Sequence, residues 1–368
     1  MDNLFTKESL SQLTADLIKF KTVAGNNSAF ESCIEYIKKY FQDTGLIMRE
    51  IESNGNRNLV VLTKETNKPQ VFLAGHVDVV GGDDSQFNPA VRDGRLYGRG
   101  ACDMKSGVAV LMQLMRHFAQ CDDKPDIGLM ITTDEERGGE NGVGHLLNNL
   151  EYRAGLAIIP DGGNAPDEVI VKNKGFLHLK ITSKGLAAHA SRPWEGKSAI
   201  HELMDKLQQI KELYPDTHEQ WTETANIGTI NGGKAANQVA DTAAATLDIR
   251  YTEKTTAENI LSSLRNILQD SNLEVLIAGN LNFTDEQNPL LQKYAEILKS
   301  EMNLNAKFMA TPGGNDGRYF SKYQIPVLIS RPKSAGLHGP EEWVLQENLE
   351  QYAKIYLKYL NEILMKTE

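Results

Sequence analysis

Apolar residues in the first half of the chain fall into short unbroken runs separated by helically spaced stretches. Residues 58–62, 71–75, 127–133 and 156–160 are rich in Val, Ile and Leu and predict buried strands. Leu10, Leu13, Leu17 and Ile18 follow helical spacing and predict a surface helix packed on a core. A second helical stretch, 108–118, opens after the Gly-rich turn at 98–107. Alternation of strand and helix predicts an α/β sheet covered by helices on both faces. Ligands of such sheets gather outside the carboxyl ends of the strands.

The pattern changes near Gly175. Strands are predicted at 176–182, 243–251 and 273–278, with helices at 198–213 and 256–268 between them. That succession suffices for a small α/β sandwich. Beyond Phe283 the first style resumes, with a helix at Pro289–Met302, a Gly-rich turn at 313–317 and a strand at 325–330. The middle region therefore reads as an insertion. The expected domains are 1–174 with 284–368, which carries the candidate chemistry, and 175–283.

A length of 368 residues agrees with two compact units, or one with a large insertion. The formal net charge of −10, with no block of Lys or Arg, argues against nucleic acid and anionic membrane as partners. No apolar stretch approaches the roughly 18 residues of a membrane span. The N-terminal residues lack the basic-then-apolar order of a signal peptide. Cys33, Cys102 and Cys121 form no CxxC pattern and suit free thiols in a reducing compartment, so a cytoplasmic location is expected.

Metal-competent side chains sit at or just past the strand ends, or in Gly-rich turns. They are His76 in VFLAGHVDVV, Asp103 in GRGACDMKSG, Glu135 and Glu136 in ITTDEERGGENG, Asp161 in IIPDGG and His338 in GLHGPEEW. His76 and Asp78, two apart, share one face of a strand, so one can ligate while the other orients it. A carboxylate at Asp103 can give one oxygen to each of two ions. Adjacent Glu135 and Glu136 diverge, so one can ligate while the other takes a proton from water. Singly, each residue has an ordinary explanation: a surface histidine, a solvated Glu pair, an Asp-Gly-Gly turn. Those explanations leave the shared placement unaccounted for.

In order and spacing, HVDVV, GRGACDMKSG, TTDEERGGENG and LHGPEEW resemble the signatures of the co-catalytic zinc amidohydrolases and exopeptidases. That family includes aminoacylase, carboxypeptidase G, acetylornithine deacetylase, succinyl-diaminopimelate desuccinylase and di- and tripeptidases. The resemblance runs over nearly the whole chain. It implies a zinc-peptidase-like α/β catalytic domain with a mixed sheet flanked by helices, plus an inserted ferredoxin-like α+β lid that forms a homodimer. It further implies two zinc ions per subunit, with cobalt and manganese accepting the same ligands. His76, Asp103 and Asp161 resemble ligands of one ion, and Asp103, Glu136 and His338 ligands of the other. Glu135 resembles the general base and Asp78 the residue that orients His76. In the lid, His189 resembles the histidine that reaches the partner subunit's site. Asn237 and Arg250 match positions that hold the substrate's carboxylate or acyl end, and Gly314 a backbone strip along the substrate pocket.

The deacetylase and desuccinylase branches carry Glu-Pro-Thr/Ser where this chain has IIPDGG. Aspartate there is more typical of the aminopeptidase, dipeptidase and tripeptidase branches. The expected activity is thus hydrolysis of an amide in a small peptide, with N-acyl amino acid deacylation as the alternative. The attacking group is expected to be a hydroxide bridging the two metals, with Glu135 as base. A catalytically silent binding protein of the same fold would have lost a ligand or the base, and none is missing. Gly228–Ala235 nearly spells a phosphate-binding loop but ends in Ala235, where magnesium needs Ser or Thr. No GxSxG elbow is present. In the lid, Ser198 replaces a common Asn.

Overall fold

A computed structural model describes residues 4–215 and 217–364. Residues 1–3 and 365–368, assigned above to the first domain, and 216, assigned to the second, lie outside the described residues. The chain separates into two compact units, one of Met1–Lys172, Phe283–Met309 and Asn315–Glu368, the other of Asn173–Asn282 and Ala310–Gly314.

The first unit opens with α1 (Lys7–Ile18) and α2 (Asn27–Phe41), then β1 (Ile47–Ser53), β2 (Asn56–Leu62) and β3 (Val71–His76). After the short strands β4 (Ala90–Arg92) and β5 (Arg95–Tyr97) come α3 (Lys105–Ala119), β6 (Ile127–Thr132), α4 (Val143–Asn148), β7 (Leu156–Ile159) and β8 (Glu168–Asn173). The second unit holds β9 (Gly175–Lys184), α5 (Ala199–Leu213), β10 (Thr224–Gly232), β11 (Thr242–Tyr251), α6 (Ala257–Leu268) and β12 (Asn272–Gly279). The chain continues through β13 (Asn282–Phe283), α7 (Pro289–Met302), β14 (Lys307–Thr311), α8 (Gly317–Ser321), β15 (Val327–Ile329), β16 (Ser334–Ala335), β17 (Trp343–Leu345) and α9 (Gln346–Leu364).

The large sheet runs β1-β2-β6-β3-β7-β15-β8-β13, with β14 paired to β8. Its centre, β6-β3-β7-β15, is parallel, while β1, β2 and β8 join antiparallel. This is the expected mixed α/β sheet flanked by helices. Because side chains alternate along a strand, Leu59, Val61, Leu73, Leu129 and Ile158 enter one core with α1, α2, α3, α7 and α9. Val60, Leu62, Phe72, Met130 and Ile159 enter the other with Val143, Leu146 and Phe320. Continuous apolar strands are what a sheet covered on both faces requires. The predicted first helix is α1, capped by Thr6, whose hydroxyl accepts from the Ser9 amide at 3.2 Å.

The second unit is a four-stranded antiparallel sheet ordered β10-β11-β9-β12 in a βαββαβ chain order. Leu177, Leu179, Ile181, Leu247 and Ile249 pack under α5 and α6. One strand exceeds the expected order: β10 is an edge strand whose residues are mostly exposed, so no apolar period marks it. The near phosphate-binding loop lies in β10 and the turn beyond it, with no helix following and Lys234 paired to Asp241 at 2.8 Å. Ser198 caps α5 by accepting from the His201 amide, which accounts for a short oxygen-bearing side chain there. Among the described residues no helix is long and apolar enough to cross a membrane.

Candidate metal centre

Strand order determines which side chains meet. β6 and β7 flank β3 in parallel, so the segments leaving their carboxyl ends lie side by side. His76 is the last residue of β3, Glu135 and Glu136 follow β6 in a 3-10 turn, and Asp161 follows β7. Backbone bonds hold the departing chain: Val77 N donates to Thr132 O at 2.9 Å and Val79 N to Thr22 O at 3.0 Å.

Asp103 enters from the loop before α3. Its Oδ1 lies 3.2 Å from His76 Nε2 and its Oδ2 3.3 Å from His338 Nε2. His338 Nε2 is also 3.3 Å from Glu136 Oε1, and Glu135 Oε2 is 4.0 Å from His76 Nε2. Two groups of donor atoms converge, each within 4.8 Å: His76 with Glu135 and Asp161, and Asp103 with Glu136 and His338. All the ligand and base residues named from the sequence therefore come together. Asp78 lies behind them in a more varied role than orienting His76 by its carboxylate. Its carbonyl is the nearer partner of His76 Nδ1, at 3.0 Å against 3.4 Å for Oδ1, and its Oδ2 accepts from the Glu136 amide at 2.9 Å.

The loop carrying Asp103 is organised by residues that sequence patterns do not single out. Glu342 is buried, and its Oε1 accepts from the amides of Gly100, Cys102 and Asp103 at 3.0, 2.8 and 3.0 Å. Its Oε2 accepts from Arg99 Nη1 at 2.6 Å. Arg99 Nη2 in turn donates to the carbonyls of Gly81 and His338, each at 3.3 Å. One buried ion pair thus joins the loops of Asp103 and His338. Gly100, at φ +87°, is in the left-handed region, and a Cβ there would meet the Lys105 side chain at 2.8 Å. Asp161 has its own partner, Arg331, whose Nη2 donates to Oδ1 at 2.8 Å. The only signals of these residues in the sequence were charges inside apolar or glycine-rich surroundings.

The electrostatics favour a cation. Burial opposes charge on His76, yet hydrogen bonds to Asp103 and Asp78 hold its protonation well above the usual range. Burial likewise opposes charge on Asp103, but His338 and His76 keep that carboxyl well below its ordinary value. Burial, with neighbouring carboxylates, pushes Glu135 well up, raises Glu136 and brings Asp161 to about 7. Glu136 Oε1 and Asp78 Oδ1 are buried and form no hydrogen bond among the described residues, although His338 Nε2 and His76 Nδ1 stand 3.3 and 3.4 Å away, an arrangement that leaves room for a ligand. Mixed nitrogen and oxygen donors in groups of three fit divalent transition ions such as zinc.

The remaining candidates lie in the second unit. His189 is on an exposed loop with Nδ1 2.8 Å from Ser191 Oγ, and that loop pairs with the segment of Asn237 through Ala190 N to Asn237 O at 3.0 Å. Arg250 is paired through two nitrogens with Asp248 of its own strand, Nε to Oδ1 at 2.8 Å and Nη2 to Oδ2 at 2.9 Å. Gly314 follows Gly313, whose carbonyl accepts from Asn173 Nδ2 at 2.7 Å.

A carboxylate shared between two donor groups, beside a further buried carboxyl, on the carboxyl edge of an α/β sheet, is the equipment of a metallohydrolase. The chain belongs to Peptidase family M20/M25/M40, which it matches over residues 72–362, and is a metal-dependent hydrolase. It is 27% identical to a succinyl-diaminopimelate desuccinylase of Herminiimonas arsenicoxydans over 373 residues, 96% of this chain and 98% of that one. It is 30% identical to a protein of the same description from Acinetobacter baylyi, over 81% of this chain and 85% of that one. In fold it is similar to the aminopeptidase PepT of Bacillus cereus, with a TM-score of 0.78, 19% identity, and coverage of 98% and 100%. A tripeptidase of Staphylococcus aureus gives a TM-score of 0.76 at 23% identity, covering 97% of this chain and 98% of that one.

Proposed function

We propose that this enzyme hydrolyses the amide bond of a small peptide from one end, using two zinc ions per subunit. The observation that carries the reading is the Asp103 carboxylate, with one oxygen toward His76 and the other toward His338. His76, Asp103 and Asp161 would hold one ion, and Asp103, Glu136 and His338 the other. Bound there, the ions would polarise the scissile carbonyl and bring water's pKa to near neutrality.

Glu135 does the proton work. Burial raises its carboxyl well above the usual carboxylate range, which suits a group that takes a proton and returns it. It accepts the proton of the attacking water as the new C–O bond forms. It then delivers that proton to the amide nitrogen as the C–N bond breaks. Asp78 sets the ring of His76 through its carbonyl and the Glu136 turn through its carboxylate. His189, offered by the partner subunit of a homodimer formed through the second unit, stabilises the oxyanion. Arg250, Asn237 and the backbone at Gly314 bind the substrate's terminal end. Arg250 bonds Asp248 through Nε and Nη2, so Nη1 is the nitrogen that would meet a second carboxylate. The residues 1–174 with 284–368 act as the catalytic domain and 175–283 as lid and dimer contact, in a cytoplasmic protein.

Asp161 favours a peptide substrate. A second reading, N-acyl amino acid deacylation, is favoured by the relatives described as desuccinylases. Dipeptides, tripeptides and N-acyl amino acids assayed side by side on zinc-loaded protein separate the two, and failure on every substrate would favour a silent binding protein. The mechanism is tested by Glu135→Ala. Turnover is expected to fall by about 10²–10⁴ while metal content by elemental analysis stays unchanged. Retained turnover would remove Glu135 from the reaction.

A further inference from the structure

Arg331 is a buried cation that the mechanism above leaves without a task. It is 5% exposed and leaves the sheet just after β15. Its guanidinium reaches two different loops, through Nη2 to Asp161 Oδ1 at 2.8 Å and through Nη1 to Cys102 Sγ at 3.0 Å. One planar group therefore spans the segment after β7 and the segment that carries Asp103. A lysine could not span both, because its charge is a single point.

The residue before it is fastened with unusual care. Ser330 O accepts from Tyr352 Oη at 2.6 Å, and Ser330 Oγ lies 2.9 Å from Tyr356 Oη and 3.2 Å from Tyr294 Oη. Tyr294 Oη also donates to Pro166 O at 2.9 Å. All three rings are fully buried on α7 and α9. The guanidinium thus follows a residue held by three phenols, one at its carbonyl and two at its hydroxyl, in a place where an unpaired charge would be strongly destabilising.

We propose that Arg331 is a positioning residue for Asp161. By binding Oδ1 it orients the carboxylate and leaves Oδ2 the freer oxygen for an ion, and by holding Cys102 it ties that carboxylate to the Asp103 loop. One-oxygen coordination suits a small ion in a tight nitrogen and oxygen shell and disfavours the two-oxygen grip that calcium accepts. The inference rests on the assignment of Asp161 as a metal ligand. It implies that the ion on the His76 and Asp161 side depends on Arg331, and the ion on the Glu136 and His338 side does not.

The test compares wild type, Arg331→Met, Arg331→Lys, Asp161→Asn and the double variant Arg331→Met with Asp161→Asn. Zinc per chain is followed by elemental analysis through a graded chelator series, and circular dichroism of the metal-free proteins reports folding. Wild type is expected to hold two ions. Arg331→Met is expected to release one of them at chelator strengths about 10–100-fold lower and to keep the other. In the Asp161→Asn background the Arg331 change should add nothing, because it acts through that carboxylate. Arg331→Lys should fall between wild type and Met, and it carries the test if the Met protein does not fold. Release unchanged from wild type, loss of both ions together, or a further loss in the Asp161→Asn background would each overturn the proposal. A wild-type protein that holds no ion would overturn both the metal assignment and this inference, whereas an unaffected variant of a two-ion wild type overturns the inference alone.

Discussion

The loops around Asp103 and His338 and the loops around His189 and Asn237 are alike in lacking regular structure, but they are held by opposite means. In the first unit, one Glu342 oxygen gathers three amides while Arg99 grips the other oxygen and the His338 carbonyl. Both members of that pair are almost fully buried. In the second unit, the His189 loop has a few backbone bonds to its neighbour, and its imidazole meets nearby Ser191. A ligand must stand ready before an ion arrives, so its loop is built rigid and pre-formed. In the proposed role, His189 meets substrate across a subunit contact and can take its final place on assembly. The contrast predicts that damage to the first set appears as lost metal and lost stability, and damage to the second as lost catalysis in a well-folded, metal-loaded protein.

The sharpest way to break this contrast uses two inactive chains. If His189 serves the partner subunit, mixing Glu135→Ala with His189→Ala protein and allowing subunits to exchange restores about a quarter of wild-type activity, because half the dimers are mixed and each has one complete site. Activity that stays absent after exchange would place His189 within its own subunit's site, and a His189→Ala protein active by itself would remove it from the reaction. Next in size is Glu342→Gln. Stranding buried Arg99 should cost about 3–5 kcal/mol in denaturant unfolding of the metal-free protein, and metal affinity should fall roughly 10–100-fold. A protein of unchanged stability would show that the loop holds itself. Arg250→Ala should raise KM roughly tenfold or more for substrates with a free carboxylate, with kcat little altered and two ions still bound. Equal effects on substrates lacking that carboxylate would remove the assigned role. Smallest of all, Lys234→Ala breaks an exposed pair with Asp241. It should leave the unfolding midpoint and the kinetics where they were.

The parts legible in the sequence were those in which chemistry and local pattern coincide. His76 ends a buried apolar strand and Glu135 and Asp161 follow two others, so the runs of apolar residues placed them on one edge of a sheet. Elements with weak apolar periodicity stayed hidden. The residues of β10 are polar and exposed, and β1, an edge strand reading IMREIES, buries no residue fully. Supporting charges were hidden for another reason, that a partner's identity is a tertiary fact. Arg99 and Glu342 are 243 positions apart, and Arg331 and Asp161 are 170 apart. Nothing near Glu342 in LHGPEEW distinguishes it from its exposed neighbour Glu341. Asp78 was placed correctly as a neighbour of His76, but that its carbonyl is the nearer contact could only come from coordinates.

The Arg99–Glu342 pair also sets a timetable. Domains tend to fold as units while the chain is still being made, the earlier segments first. Here β3, β6 and β7, which end at or just before His76, Glu135 and Asp161, emerge long before the residue that gathers the Asp103 loop. A nascent chain ending before position 342 can hold several ligands yet lacks the anchor that brings Asp103 between them. Loading of the proposed metal site is therefore expected to wait for residue 342, and a translation product cut short between His338 and Glu342 would carry every proposed ligand without the carboxylate that gathers the Asp103 loop.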